Sequence, residues 1–490
     1  MKSKPFIKDF LLYGFNNILA KLAALLVVPI ITSVFTVAEY GIIETGITIL
    51  TLLPLLVGMG YDMVLKRDLI IYKNEQEKSR NLIFTMFLFV FVWGALVVVI
   101  LALFSSPLAK LLFTSEEYAL AMIFTLVSVY FNTFIGFVLV LCRSQFQLIR
   151  FSVISTIKIL LEYGFIIFAV LYLKEGITGY FGALCAVDVV YAIVVVFIYR
   201  KAIIGRFDVP LLKSSLKFGI PTMIAGFGYW IFNLSDRILI TNLSDSAQTG
   251  LYSIAIKMLG IYSFLVTAFK QAWVPRAFEM YREHESDFPR HLEKMHYYSL
   301  AFFSFVVLVN FAGLRLMILL LSTPEYLYGV TIAAPLVMAF IFYPLTEVAS
   351  IGVYLAGKTK PLSRVVWIAA AINIIINVIW IPMYGSIVAG ISTLAAYLFI
   401  YVAYWVLSCR YMHWRFSWLR PILVFVVAAL SIGAIYLINI ENLWLDLLCK
   451  LAVTGAFFVI MLITKIIRID YIKKTVRYFF KRKEVVDSGS

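Results

Sequence analysis

The stretch GVYLAGKT, Gly352 to Thr359, matches the phosphate-loop pattern G-x-x-x-x-G-K-[ST] letter for letter. A working phosphate loop follows a strand, turns its backbone N–H groups around the phosphate, and opens a helix at the Lys-Ser/Thr end. Here the upstream residues VMAFIFYPLTEVAS have the composition of a membrane helix. Val353 to Ala356 are therefore expected to stay helical, and Gly357 to terminate that helix. Lys358 and Lys360 would then mark the cytoplasmic side. No soluble stretch is long enough for a nucleotide-binding module. The sequence points to a non-enzyme without an ATPase site, and to no catalytic residue, cofactor or metal.

The other residues able to do chemistry are ionisable groups inside apolar runs. They are costly in lipid and so face protein or water. Gly14, Asn17 and Lys21 share one face of the first run, with Lys21 about 18 Å along the helix from Asp9. Lys21 is either a cavity cation or a lysine neutralised by a carboxylate. In the seventh run Tyr229, Asn233, Asp236 and Arg237 share a face. The planar fork of Arg237 suits a phosphate; the alternative is an outer-interface anchor near Asn242. In the eighth run Ser253, Lys257, Gly260, Thr267 and Gln271 form a polar stripe. Lys257 is a cavity cation or one half of an ion pair with Glu44 or Asp236, while Lys270 stands near the cytoplasmic exit. Lys158 and Glu162, four residues apart, read as a mutual pair. Glu44, Asp188 and Glu347 are carboxylates able to couple transport to an ion gradient or to hold structure.

The elements that carry these residues follow from composition. Of 490 residues 63% are hydrophobic and only 14% charged, with mean hydropathy +0.96. Soluble domains carry roughly 25% charged residues, so this chain belongs in lipid. It breaks into about fourteen apolar runs of roughly 19 to 26 residues, each able to cross a ~30 Å hydrocarbon core. The net charge of +15 does not indicate nucleic acid, because about 33 of the Lys and Arg fall in one set of loops and tails and about two, Lys110 and Lys174, in the alternate set. That asymmetry puts both termini in the cytoplasm. The N-terminus MKSKPFIKD shows no removable signal peptide. Cys142, Cys185, Cys409 and Cys449 lack metal or redox spacing and read as small apolar fillers. Three of the four histidines sit in one amphipathic cytoplasmic connector.

The chain also matches itself. FLLYGFNN around Gly14 resembles SLKFGIPT around Gly219, and Tyr40-Gly41 matches the Gly250-Leu251-Tyr252 region. The same offset carries Lys66-Arg67 onto Pro275-Arg276. Farther on, Arg150 matches Arg364, Gly182 matches Gly390, and Arg200 matches Arg410. The stripe Glu44, Thr48, Thr51, Gly58, Asp62 is the mate of that in the eighth run. The expected architecture is all-α and polytopic, two six-helix lobes in parallel repeat (1–200 and 201–411), an appended pair of spans (412–466) and a basic tail (467–490). Parallel repeats of this kind build transporters that rock two lobes around a midplane site.

With YG near the start and at the second span, SLKFGIP, NLSDRILI, TGLYS and AWVPR, the chain resembles bacterial polysaccharide flippases. These are the O-antigen and capsule repeat-unit type of the multidrug/oligosaccharidyl-lipid/polysaccharide exporter superfamily. The resemblance spans nearly the whole chain. It implies translocation of an undecaprenyl-diphosphate-linked oligosaccharide to the outer leaflet of the bacterial plasma membrane by alternating access. Its partners would be that lipid-linked substrate, membrane lipid, and the polymerase and glycosyltransferases of the pathway, with no nucleic acid. Three rivals remain open: a cation-coupled drug exporter, a peptidoglycan-precursor flippase, and a membrane polysaccharide polymerase. The cationic candidates count against the first. Outer loops of only about 3 to 13 residues count against the last.

Overall fold

The computed structural model describes residues 22–466 apart from 146, 284, 359, 415 and 416, and its described residues are helices and connecting turns without a strand. Apolar sequence in lipid must satisfy its backbone internally, and helices do so within one segment. Among the described residues eleven helices are long and apolar enough to cross a membrane, or twelve when the broken pair Ser246–Leu259 and Ser263–Glu283 counts as one. Two of the fourteen expected spans fall outside that number. One is α1, Leu22–Val34, which begins at the edge of the described residues. The other is α9, Val209–Leu243, whose 35 residues reach about 52 Å. Its frequent Gly, Ser, Thr and Asn make it the more polar span.

Local sequence explains the helix ends that matter. Helix α2, Val37–Gly58, opens with a capping box: the Thr36 N–H donates to Glu39 Oε2 at 2.9 Å, and the Glu39 N–H donates to Thr36 Oγ1 at 3.3 Å. It ends where Met59 and Gly60 turn left-handed, and α3, Tyr61–Ile71, follows. Next come α4, Gln76–Leu103; α5, Ser105–Phe113; α6, Ala119–Ser144; α7, Leu148–Phe168; and α8, Gly176–Ile203. Beyond α9 lie α10, Ser246–Leu259; α11, Ser263–Glu283; α12, Phe288–Leu321; and α13, Gly329–Ala349. The last five are α14, Ile351–Leu355; α15, Lys360–Tyr384; α16, Ile387–Met412; α17, Leu419–Leu437; and α18, Leu443–Ile463.

The GVYLAGK stretch is a helix end. The Gly357 N–H donates to the Tyr354 carbonyl at 2.9 Å and the Lys358 N–H to the Val353 carbonyl at 3.2 Å. With Gly357 at φ +67°, these two bonds make the Schellman closure expected of a terminating glycine.

The chain divides into two compact units. One holds the described residues up to Ile254 with Ile318–Leu327 and Ile374–Ala389; within it α6 packs along α8, and α2 along α9. The other holds Ala255–Met317, Tyr328–Asn373 and the described residues from Gly390 on; within it α13 packs against α11 and α17, and α17 against α18.

In the first unit α2 and α10 cross with their backbones in contact. A Cβ at Gly41 would fall 1.8 Å from the Ser246 carbonyl oxygen, and one at Gly250 2.2 Å from the Val37 carbonyl oxygen. These two glycines are the landmarks that align when the halves of the sequence are superposed.

Candidate functional site

Where α2 and α10 cross, they meet α9, and the crossing carries a buried polar cluster. Arg237 lies near one end of α9, its side chain 11% exposed. Its Nε donates to Ser253 Oγ at 3.2 Å and lies 3.7 Å from Glu44 Oε2. The first is a hydrogen bond; the second is a charge contact beyond hydrogen-bond reach. Glu44 and Ser253 are equivalent positions of the internal repeat, 209 residues apart. One guanidinium therefore sits between the same site of both copies.

The neighbouring Asp236 is buried and meets the same helix α10 one residue away from the partner of Arg237. It accepts from the Tyr252 hydroxyl at 2.6 Å and from Asn377 Nδ2, on α15, at 2.7 Å. Below them a hydroxyl chain runs through three helices, Thr45 to Thr241 and Thr241 to Thr249, each step 2.8 Å. Trp230 donates to Thr51 Oγ1 at 3.1 Å, so the polar stripe of α2 is met by α9 along its length.

The structure thus brings Glu44, Asp236 and Arg237 into one cluster. Asn233 stands one turn away, its amide donating to the Tyr229 carbonyl at 2.8 Å, and the Tyr229 side chain is exposed. Lys257 is half-buried on α10, one turn past Ser253. Lys21 and Asn17 lie outside the described residues.

The remaining candidates belong to other clusters. In the first unit Asp188 of α8 accepts from Ser128 of α6 and lies 3.4 Å from Lys158 of α7, which also meets Glu162 at 2.5 Å. In the second unit Lys270 of α11 pairs with Glu347 of α13 at 2.5 Å, its ammonium 5.5 Å from the centre of the Tyr343 ring.

Sequence reasoning missed Asn377, Tyr252 and the three threonines. A signal existed for one of them: Asn373 and Asn377 stand four apart in the apolar run INIIINVIW. A polar pair at helical spacing inside a span is a partner awaiting an acceptor.

With this geometry in hand, comparison with known proteins decides the family. A profile of the family described as polysaccharide biosynthesis protein matches residues 6–281. The chain belongs to that family. An uncharacterized membrane protein of Methanocaldococcus jannaschii is 23% identical over 292 residues, 58% of this chain; the chain spans 57% of that relative's length. Among solved structures, the lipid II flippase MurJ in an inward closed conformation superposes with TM-score 0.68 at 16% identity, covering 94% of this chain and all of the other. A point mutant of a MATE transporter of Vibrio cholerae gives 0.55 at 14% identity, covering 84% and 97%. A MOP-superfamily transporter from Pyrococcus furiosus, for which a reverse polarity of the binding pocket is described, gives 0.51 at 13% identity, covering 88% and 94%. The fold is that seen in MOP-superfamily transporters, and the chain is a multi-pass membrane protein of the polysaccharide biosynthesis family.

Proposed function

We propose that this protein flips undecaprenyl-diphosphate-linked oligosaccharide repeat units from the cytoplasmic to the outer leaflet of the bacterial plasma membrane, for surface polysaccharides of the O-antigen or capsule type. The observation that carries the reading is Arg237 held between repeat-equivalent Glu44 and Ser253. A substrate with two phosphates needs a cation that can change partners during a cycle. A guanidinium with one hydrogen bond to a hydroxyl and a carboxylate at 3.7 Å is far easier to redirect than one locked in a bidentate carboxylate pair. The family membership and the loop charge asymmetry support the same reading.

The substrate diphosphate and sugar are taken up from the cytoplasmic side, where Lys21, Arg237 and Lys257 serve as the cationic contacts. Asn17, Asn233, Asp236, Tyr229 and Lys270 serve as the sugar- and phosphate-positioning groups. Alternating access of the two repeats, without ATP hydrolysis, releases the head group outside while the polyprenyl tail stays in lipid. Glu44, Asp188 and Glu347 are the carboxylates through which an ion gradient would drive the cycle. The products pass to a polymerase, and glycosyltransferases supply the substrate.

The test is a leaflet-resolved analysis of lipid-linked sugars in a deletion strain. Undecaprenyl-diphosphate repeat units accumulating on the cytoplasmic face, relieved by wild type and not by Arg237→Ala at equal protein level, are expected. Repeat units present in the outer leaflet but unpolymerised would sink the flippase in favour of a polymerase. Unchanged lipid-linked sugars with altered drug sensitivity would assign the chain to drug export.

A further inference from the structure

We propose that a groove between α7 and α8 is a binding site for one phosphate-headed anionic lipid of the bilayer, distinct from the transported substrate. The groove has a volume of about 800 Å³ and lies wholly within the first unit, a size in the range of small-molecule sites. Its walls are branched aliphatics: Val153 and Ile157 from α7 and Val194 and Ile198 from α8, all exposed at the protein surface. In a membrane protein such exposure means contact with lipid chains.

The mouth has the opposite character. Arg150, at the start of α7, and Lys201, near the end of α8, stand there with Gln147, and the groove is lined by neither Asp nor Glu. Gln147 Oε1 accepts from Arg150 Nη1 at 3.0 Å, which holds the guanidinium beside the first turn of α7. The N-terminal dipole of α7 is offset at the mouth by the C-terminal dipole of α8, so the attraction for an anion rests on the two side chains. These two cations stand at the end of the spans that carries the Lys/Arg-rich loops, above an apolar trough. This matches an anionic head group with an alkyl chain below it. Basic pockets between transmembrane helices on the cytoplasmic side bind such head groups.

Two features make the floor a fixed one. The Tyr191 hydroxyl donates to the Ile154 carbonyl at 2.7 Å, tying the helices together at the inner end. The Cys142 thiol meets the Tyr199 hydroxyl at 3.3 Å, which steadies the wall near the mouth. The choice of occupant follows from exposure and charge. Of the eleven apolar spans the one containing α7, Leu148–Leu173, is the least buried, so the groove faces the surrounding bilayer. The chain's own ends, MKSKPFIK and KKTVRYFFKRK, carry the same sign of charge as the mouth and are repelled from it.

The full chain, purified in detergent and depleted of lipid, is titrated with phosphatidylglycerol and with phosphatidylcholine. Bound lipid is followed by native mass spectrometry and stability by thermal midpoint. One phosphatidylglycerol per chain is expected, bound in preference to phosphatidylcholine and raising the midpoint. Arg150→Gln with Lys201→Gln should weaken it about thirty-fold, since each cation near an anionic head group is worth a factor of about five. Both residues are exposed, so the fold should not suffer, and a thermal midpoint matching lipid-free wild type confirms that. Val153→Trp keeps both cations but fills the trough, and should also lose the lipid. Equal binding of the two lipids by wild type, or unchanged phosphatidylglycerol affinity in the double variant, overturns the site. Undecaprenyl phosphate displacing phosphatidylglycerol at equal concentration overturns the choice of a bilayer lipid, giving the groove to the transported carrier and leaving the flippase reading intact.

Discussion

Gly41 and Gly250 press backbone against backbone: a Cβ on Gly41 would fall 2.9 Å from the Gly250 nitrogen as well as 1.8 Å from the Ser246 carbonyl oxygen. Neither atom can rotate away, because both belong to helix α10 or its first residue. Small residues let transmembrane helices approach closely, and here that approach brings Glu44 of α2 and Ser253 of α10 within reach of a single arginine.

Gly41→Ala should therefore separate α2 from α10 and cost about 1–3 kcal/mol or more by overpacking. Gly455→Ala, on α18 with open space where the Cβ would go, is the control and should be neutral or slightly stabilising. Thermal midpoints of the two variants in detergent check this. A Gly41→Ala midpoint equal to that of wild type would show that the crossing is looser than described.

Arg237→Ala and Arg237→Lys separate charge from geometry. The alanine variant should lower surface polysaccharide at least ten-fold with protein level unchanged. Lysine keeps the charge and loses the planar fork, so it should restore only part. Glu44→Gln removes the carboxylate at 3.7 Å and leaves the Ser253 bond, so activity should shift less than in either arginine variant. Cell-surface polysaccharide measured against membrane protein level decides the order. If Glu44→Gln is as damaging as Arg237→Ala, the arginine acts through the ion pair and not through substrate.

How much of this was open to sequence reasoning depends on the range of each interaction. The spans were legible because hydropathy is a local property, and the end of the α14 segment at Gly357 was legible because a helix-terminating glycine is too. The stripe from Glu44 to Thr51 was legible because helical spacing and the 209-residue offset repeat it. The partners were not. Asp236 finds Asn377 at a separation of 141 residues and Thr45 finds Thr241 at 196, and no periodicity encodes such a pairing. The reading of Lys158 and Glu162 as a mutual pair fits the 2.5 Å contact, yet Asp188, 26 residues beyond Glu162, joins them only in the folded chain.

That third member makes Lys158 a test of burial energetics. One ammonium lies between two carboxylates, with Asp188 2% and Lys158 14% exposed. Removing the cation alone leaves two like charges in a low-dielectric setting. Lys158→Met should cost about 3–5 kcal/mol and lower the yield of membrane-inserted protein. Adding Glu162→Gln and Asp188→Asn to Lys158→Met should recover most of the loss, because that cluster then holds no buried charge. A triple variant no more stable than Lys158→Met would mean that the lysine acts through packing of its methylene stem.

In the second unit Asp446 ties the appended pair α17 and α18 to α12. It lies 2.7 Å from Lys450 and 3.2 Å from Arg315, and it accepts from the Ile440 N–H at 3.1 Å, while Arg315 Nη1 donates to the Ile440 carbonyl at 2.7 Å. The carboxylate and Lys450 are both almost fully buried, so Asp446→Asn strands two cations at once. A loss of about 3–5 kcal/mol is expected, felt first where the 438–442 connection meets α12. Hydrogen exchange should show that connection and the first turns of α18 opening while α2, α9 and the Glu44–Arg237 cluster keep their protection. Uniform loss of protection across both units would show instead that the appended pair folds as one cooperative body with the rest. Asp446→Asn would then report on global stability and not on the anchoring of the pair.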